Sequence, residues 1–431
     1  MRNWKPETIM KTTKFTCLAL LILTLPAAHG ESFRTDINPA LLYYRAFLMA
    51  PDLPQADRDY LFTNNWQGQK LPERFGELVA KYDSEFNLVR QAVHATAPCD
   101  WGIDMSPGPF TQLPHLAPTK KVAQAAQLRA MWSLQHGNQT GARDDLLAAF
   151  VLGRNASRDG TVIGALVQNA VEVLVYATVA ANFNQFSPET LKQLADGFDA
   201  ATVRGTMATA ITTEKSNHVD WLLNIIRKIQ QANPGNDAKV LAAIRKDKDL
   251  AEFDNFGDGW EKQAQMTNFW QHVFVAAGGT SDGILKLVLE SEPLYLRLVK
   301  ILTLPLPEFE DQIQKFDTEV QKTQNPFVTA LFPSPLQPLR RKEFRSQAEQ
   351  AMVHAAVEYK LHGEAGLKCV MDPFGKGPFA SQRFMFDGVD RGFQLTSDYS
   401  FGKVPCGIIF VEKEGPPFSV SSPNLGKAVK P

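Results

Sequence analysis

The stretch MWSLQHGNQTGARDDLLAAF, Met131–Phe150, decides how the chain is built. Two helix-periodic segments flank a Gly137-Asn138 turn, and small residues stand where the helices would cross. That is the pattern of a tetratricopeptide-type helix–turn–helix unit. The same pattern continues on both sides. Lys120–His136 reads as an Ala-rich helix, and Ala142–Arg154 is its hairpin partner. Thr161–Phe183 is almost wholly apolar. Ser187-Pro188-Glu189 then sets a Ser cap and a first-turn Pro at the start of a helix running to about Ala201. No period of about 34 residues runs through the chain. The expected fold is therefore mainly α, an irregular helical-hairpin (tetratricopeptide-like) bundle.

The apolar run 161–181 is long enough to be weighed as a membrane span. Gln168, Asn169 and Glu172 lie at its centre, and each polar group is costly in lipid. A core helix of the bundle is the better reading. Toward the N-terminus, Asn38-Pro39 caps a helix that Pro51 ends. A single apolar stripe (Phe75, Leu78, Val79, Tyr82, Phe86, Val89, Val93) predicts one long helix over 72–94. Ala95–Pro118, with five prolines, reads as a loop. Toward the C-terminus, long helices are predicted over Met207–Gln231, Trp260–Ala277, Ile284–Leu304 and Glu308–Gln324. Asn325–Pro338 is a Pro-punctuated connection. The cluster Arg340-Arg341-Lys342 leads into a last helix through Tyr359 to about His362. After Gly363 the pattern changes to short apolar runs at Phe384–Phe386, Gly392–Thr396 and Gly407–Val411. These predict a small C-terminal antiparallel β-meander.

Residues 1–30, MRNWKPETIMKTTKFTCLALLILTLPAAHG, begin with Arg2, Lys5, Lys11 and Lys14 and continue into an apolar run from Phe15 to Leu25. Pro26 and the small residues Ala28 and Gly30 follow. The pattern is that of a secretory signal peptide cut before Glu31, with Met10 an alternative start. The run is about 11 residues, against the ~20 of a bilayer span, so no transmembrane anchor is expected after cleavage. The organisation read from the sequence is thus a signal peptide at 1–30, a helical body at 31–363, a β tail at 364–414 and a loose tail at 415–431. The expected location is the bacterial periplasm or the outside of the cell.

Among 431 residues, 45 Lys and Arg balance 46 Asp and Glu, a net charge of −1. Cleavage removes four of those basic residues and one acidic residue, which moves the net charge to −4. Neither balance suits a chain that must neutralise phosphates, so no nucleic acid is expected as partner. Cys17 leaves with the signal, and Cys99, Cys369 and Cys406 remain. Export permits disulfides. A Cys369–Cys406 bond would close a loop of about 37 residues, worth ~3–4 kcal/mol. The alternative is two buried thiols.

Motifs for chemistry are mostly missing. The chain has no GxGxxG after a strand, no Walker loop, no GxSxG and no HExxH. Glu214 and His218 share a helix face, but further metal ligands are not indicated. DNFGDG at 254–259 fails as a calcium loop, because Phe256 and Gln265 sit where oxygen ligands belong. No metal and no cofactor are therefore expected. The most unusual loop is CDWGIDMSPGPF, Cys99–Phe110. Asp100 and Asp104 could act as carboxylates and Trp101 as a stacking platform for a sugar or peptide. Carboxylates about 5 Å or 6.5–9.5 Å apart would suit glycoside hydrolysis. The alternative is a loop pinned by a buried Trp.

Several phrases, taken as a set, carry a resemblance. They are NPALLYYRAFLMAP (38–51), CDWG (99–102) leading to LPHLAP (113–118), DDLLAAFVLGR (144–154), VHAAVEYKLHG (353–363), DPFGKGPF (372–379) and RGFQLTS (391–397). Their order and spacing resemble a family of exported bacterial helical proteins whose tail is similar to the globular segment of a type II secretion pseudopilin. Tyr359, Gly363, Asp372, Pro373, Phe374 and Gly375 occupy the matching places of that segment. The N-terminal pilin methylation segment and the acidic calcium-binding end of the major pseudopilin are missing from this sequence. The resemblance implies no assigned activity and no catalytic residues. The expected function is an exported, non-enzymatic interaction or assembly protein with an envelope protein as partner. The alternative is a cell-wall or carbohydrate-active enzyme or binder using the Cys99–Phe110 loop.

Overall fold

The computed structural model describes residues 35–252, 269–332, 336–401 and 404–415. The signal-peptide reading, the DNFGDG segment and all but the start of the 415–431 tail lie outside these residues. The helices are α1 Pro39–Leu48, α2 Gln55–Phe62, α3 Glu73–Ala80, α4 Asp83–Val93, α5 Leu116–Gln135, α6 Gln139–Ala156, α7 Val162–Ala181, α8 Pro188–Ala200 and α9 Met207–Lys215. They continue as α10 Trp221–Ala232, α11 Asp237–Ile244, α12 Lys248–Ala251, α13 Phe269–Ala276, α14 Ser281–Leu289, α15 Glu292–Leu302, α16 Leu306–Lys322, α17 Pro326–Leu331 and α18 Gln337–Leu367. Three strands follow, β1 Ala380–Phe386, β2 Val389–Phe401 and β3 Val404–Val411, in the antiparallel order β1-β2-β3. The fold is mainly α with a small C-terminal β-meander.

The hairpin α5–α6 forms where Met131–Phe150 places it. Asn138 caps α6 by accepting from the Gly141 N–H at 2.9 Å. Helix α5 starts at Leu116, earlier than its apolar pattern suggests. Pro118 lies in its first turn, where a missing N–H costs nothing. Several expected long helices are broken. The stripe over 72–94 divides into α3 and α4 at Lys81-Tyr82, and Tyr82 packs against both apolar clusters of this region. The segment 207–231 is split by a π-helical turn, Ser216–Asp220. Ile284–Leu304 divides at Ser291, a buried hydroxyl that donates to the Val288 carbonyl at 2.6 Å, and Pro293 opens α15.

Helix α7 is the axis of the molecule. It is long and apolar enough to cross a membrane by length and composition. Here it is wrapped by α5, α6, α9, α18 and β3. Gln168, Asn169 and Glu172 are buried within it. One apolar core runs through body and tail together. Phe183 just beyond α7 meets Phe393 of β2 at 5.8 Å and Phe410 of β3 at 5.4 Å. A satellite core of Leu53, Leu61, Leu71, Phe75, Leu78, Val79, Leu128 and Met131 lies beside α3 and α5.

The three described cysteines are free thiols, which corrects the expected Cys369–Cys406 bond. Cys369 sits exposed just past the end of α18, its Sγ 3.3 Å from the Ala365 carbonyl oxygen. Cys406 is buried in β3. Burial and the neighbouring Glu349 push its thiol up to about 12, so it is an inert, protonated filler. The turn after α18 is held by Asp372, which accepts from Ser397 Oγ, the Asp398 N–H and the Phe374 N–H.

Candidate functional site

The Cys99–Phe110 loop is pinned at both ends. Asn38 accepts from the Asp100 N–H at 3.1 Å and donates to the Asp100 carbonyl at 2.6 Å, while capping α1. Trp101 turns inward and is 4% exposed. Its indole N–H donates to the Asn155 carbonyl at 2.7 Å. Its ring stacks on His115 at 4.4 Å and on Tyr43 at 5.6 Å. Trp101 is therefore no stacking platform, and that part of the expected ligand loop is corrected. Its apolar area is worth more against the core than against a ligand in water.

The two carboxylates stay at the surface and close their own turns. Asp100 accepts from the Gly102 N–H at 2.9 Å. Asp104 accepts from the Ser106 N–H and hydroxyl, both at 2.9 Å, and these bonds hold it below the usual carboxylate range. Such bonds are the local turn chemistry of Asp. Downstream, the Trp221 indole donates to the Ser106 carbonyl at 3.0 Å. Gly108 lies beneath that indole, with φ +64° and room for no side chain, since a Cβ would stand 2.5 Å from Trp221 Cγ. Cys99 is buried, and its thiol is pushed up to about 12.

Behind the loop, two His–carboxylate pairs hold the first turn of α7. His115 Nε2 lies 3.2 Å from Asp159 Oδ2, and Asp159 Oδ1 accepts from the Thr161 N–H at 2.8 Å. His218 Nε2 lies 3.1 Å from Glu214 Oε2, and Glu214 Oε1 accepts from the Val162 N–H at 3.1 Å. His218 Nδ1 lies 3.0 Å from the Tyr295 hydroxyl. The π-helical turn carries His218 into this position, as such turns often do at places under constraint. Burial lowers His218 to about 4, so the ring is neutral at pH 7. Burial raises Glu214, with Asp159 adding to the effect. The row Glu214–His218–Tyr295 could pass a proton along itself. It serves instead to tie α9, α7 and α15 together, with carboxylates placed where a helix N-terminus favours them. No group of three or more metal-ligating side chains in metal-holding geometry occurs among the described residues.

A buried ion-pair network lies midway along α7. Glu172 has no exposed side-chain surface. It accepts from Arg154 Nε at 3.2 Å, Arg204 Nε at 2.9 Å and Ser346 Oγ at 2.6 Å. Arg204 reaches on to Asn169 and to Glu343, and Glu343 is also paired with Arg340 at 2.5 Å. Arg341 grips Glu310 with two nitrogens, and its carbonyl accepts from the Tyr399 hydroxyl. The 340–342 cluster is thus partly an internal clamp between α18, α16 and β2. Sequence reading missed this network. Its signal was the 168–169–172 spacing inside an otherwise apolar run.

No protein-family model, no curated protein and no solved structure matches the chain.

Proposed function

We propose that the protein is an exported, non-enzymatic interaction or assembly module of the bacterial envelope, working through an envelope protein partner. One observation carries the reading. The carboxylates, imidazoles and guanidiniums behind the Cys99–Phe110 loop and along α7 are turned to one another as ties between helices, and Asp100 and Asp104 are spent on closing their own turns. A hydrolase instead keeps paired carboxylates open toward substrate. The leader-like residues 1–30 support export, and the pseudopilin-like tail supports a role in assembly. The test is a pull-down with the mature chain as bait from envelope extract. A reproducible protein partner is expected, with no turnover of a glycan and peptide panel. Turnover of any panel member, or repeated pull-downs without a partner, overturns the proposal.

A further inference from the structure

A second tryptophan loop, Thr63–Pro72, builds a different surface. Phe75 of α3 is fully buried and forms its floor. Trp66 meets Phe75 edge-on at 5.2 Å, and Tyr60 meets Trp66 at 4.9 Å. On the other side, Trp132 of α5 lies 6.2 Å from Phe75, and the exposed His136 ring sits 4.0 Å from Trp132. Tyr60, Trp66 and Trp132 are each half-buried. Trp132 lies so close to α3 that a Cβ on Gly76 would stand 2.1 Å from Trp132 Cζ2. The rings are thereby fixed. The Trp66 indole N–H is held by the Leu61 and Tyr60 carbonyls at 3.0 and 3.2 Å, and Gln135 exchanges two bonds with the Leu71 backbone.

The rim is rich in amides: Asn64, Asn65, Gln67 and Gln69. Asn65 accepts from the Gln67 N–H, and Gln69 donates to the Asn65 carbonyl. The Gln67 side-chain amide and the Trp132 indole N–H hydrogen-bond to no described residue. Arg74, Asp57 and Asp59 are taken up locally. Arg74 pairs with Asp57 at 2.9 Å and lies over the Tyr60 ring, and Gln55 holds Asp59. Lys70 and Glu73 are exposed, opposite in charge and without an ion pair among the described residues. The surface therefore offers the Trp66 and Trp132 rings, with Tyr60 shared with Arg74, beside neutral amides that both donate and accept.

We propose that this shelf, Tyr60, Trp66, Trp132 and His136 with Gln67 at its rim, binds the sugar rings of a neutral glycan. A pyranose has a C–H face that stacks on an aromatic ring and an edge of hydroxyls that both donate and accept. Amides meet that edge without charge. An anionic polymer would need more cations than the single unpaired Lys70, which Glu73 offsets in charge. Rings fixed before binding lose little entropy in it. The site is separate from the Cys99–Phe110 loop, and it stands or falls independently of the protein partner proposed above.

The test is affinity electrophoresis and calorimetry of the purified mature chain with hydroxyethylcellulose, xyloglucan and chitohexaose. At least one should retard the protein. Gln67→Ala should weaken that binding about tenfold, the worth of one hydrogen bond, at an unchanged melting temperature. Trp66→Phe, which keeps a ring over Phe75, should weaken it as well. The inference is overturned if none of the three binds, if both variants bind like the parent, or if a proline-rich peptide binds the shelf in place of every glycan.

Discussion

Asn-Asn-Trp-Gln at 64–67 and Cys-Asp-Trp-Gly at 99–102 are two turn-forming stretches with a tryptophan inside. They end in opposite states. Trp101 sends its N–H across the fold to Asn155 and gives its ring to His115 and Tyr43. Trp66 bonds within its own loop, to Tyr60 and Leu61, and rests half-covered on a satellite core. The long-range bond makes Trp101 part of the main core. The local bonds leave Trp66 fixed in position yet open to solvent. What separates a structural tryptophan from a presentable one here is the distance along the chain to its hydrogen-bond partner.

That contrast can be broken by denaturation. Trp101→Ala should cost about 3–5 kcal/mol, as for a large buried side chain, and Trp66→Ala about 2 kcal/mol or less. Equal losses in urea titrations would erase the distinction. The core beneath Trp101 depends in turn on Glu172. Glu172→Gln leaves Arg154 without its buried countercharge and Arg204 with Glu343 alone, and should cost about 3 kcal/mol by the same titration. Gly108→Ala should cost about 1–2 kcal/mol, because it strains a left-handed residue and displaces Trp221.

Acidity should separate the two neighbourhoods in sign. Neutral His218 near the Trp101 loop titrates at about 4, below its unfolded value. The unfolded chain binds more protons between pH 4 and about 6.5, so this contribution to stability is lost as pH falls through that window. Glu85 of α4, behind the satellite core, is raised by burial to about 7. There the folded chain binds more protons between about pH 4.5 and 7, so stability falls as pH rises. Hydrogen exchange at pH 5 and 7, corrected for intrinsic rates, should show α9 and α10 gaining protection and α4 losing it. Glu85→Gln should abolish the second effect. The smallest change is Asp104→Ala, which opens an exposed turn and should leave the thermal midpoint where it was.

The hairpin at 131–150, the caps at Asn38 and Ser187 and the β-meander were legible because their signals are local. Gly, Asn and Pro fix turns, and apolar spacing fixes faces. The π-helical turn was not legible, since one extra residue per turn leaves the apolar pattern of 207–231 almost unchanged. The break at Lys81-Tyr82 was hidden because Tyr82 serves two clusters at once. At the expected site the residue types were noticed and their directions were not. Trp101 reads as platform or as pin until Asn155, 54 residues away, offers its carbonyl. The cysteine pairing failed on the same ground: loop length favours closure, but one thiol lies at a helix end and the other inside a strand.

The last strand completes the surroundings of α7. Residues 404–411 leave the ribosome long after 162–181 do, and the core around Phe183 needs Phe393 and Phe410. A growing chain therefore holds an apolar helix with no final seat until residues 404–411 emerge. Folding is delayed by the order of synthesis itself. A chain that must be threaded through a narrow channel before it folds gains time from that delay. A chain cut short before β3 would carry an unfinished core and a helix apolar enough to be taken for a membrane segment.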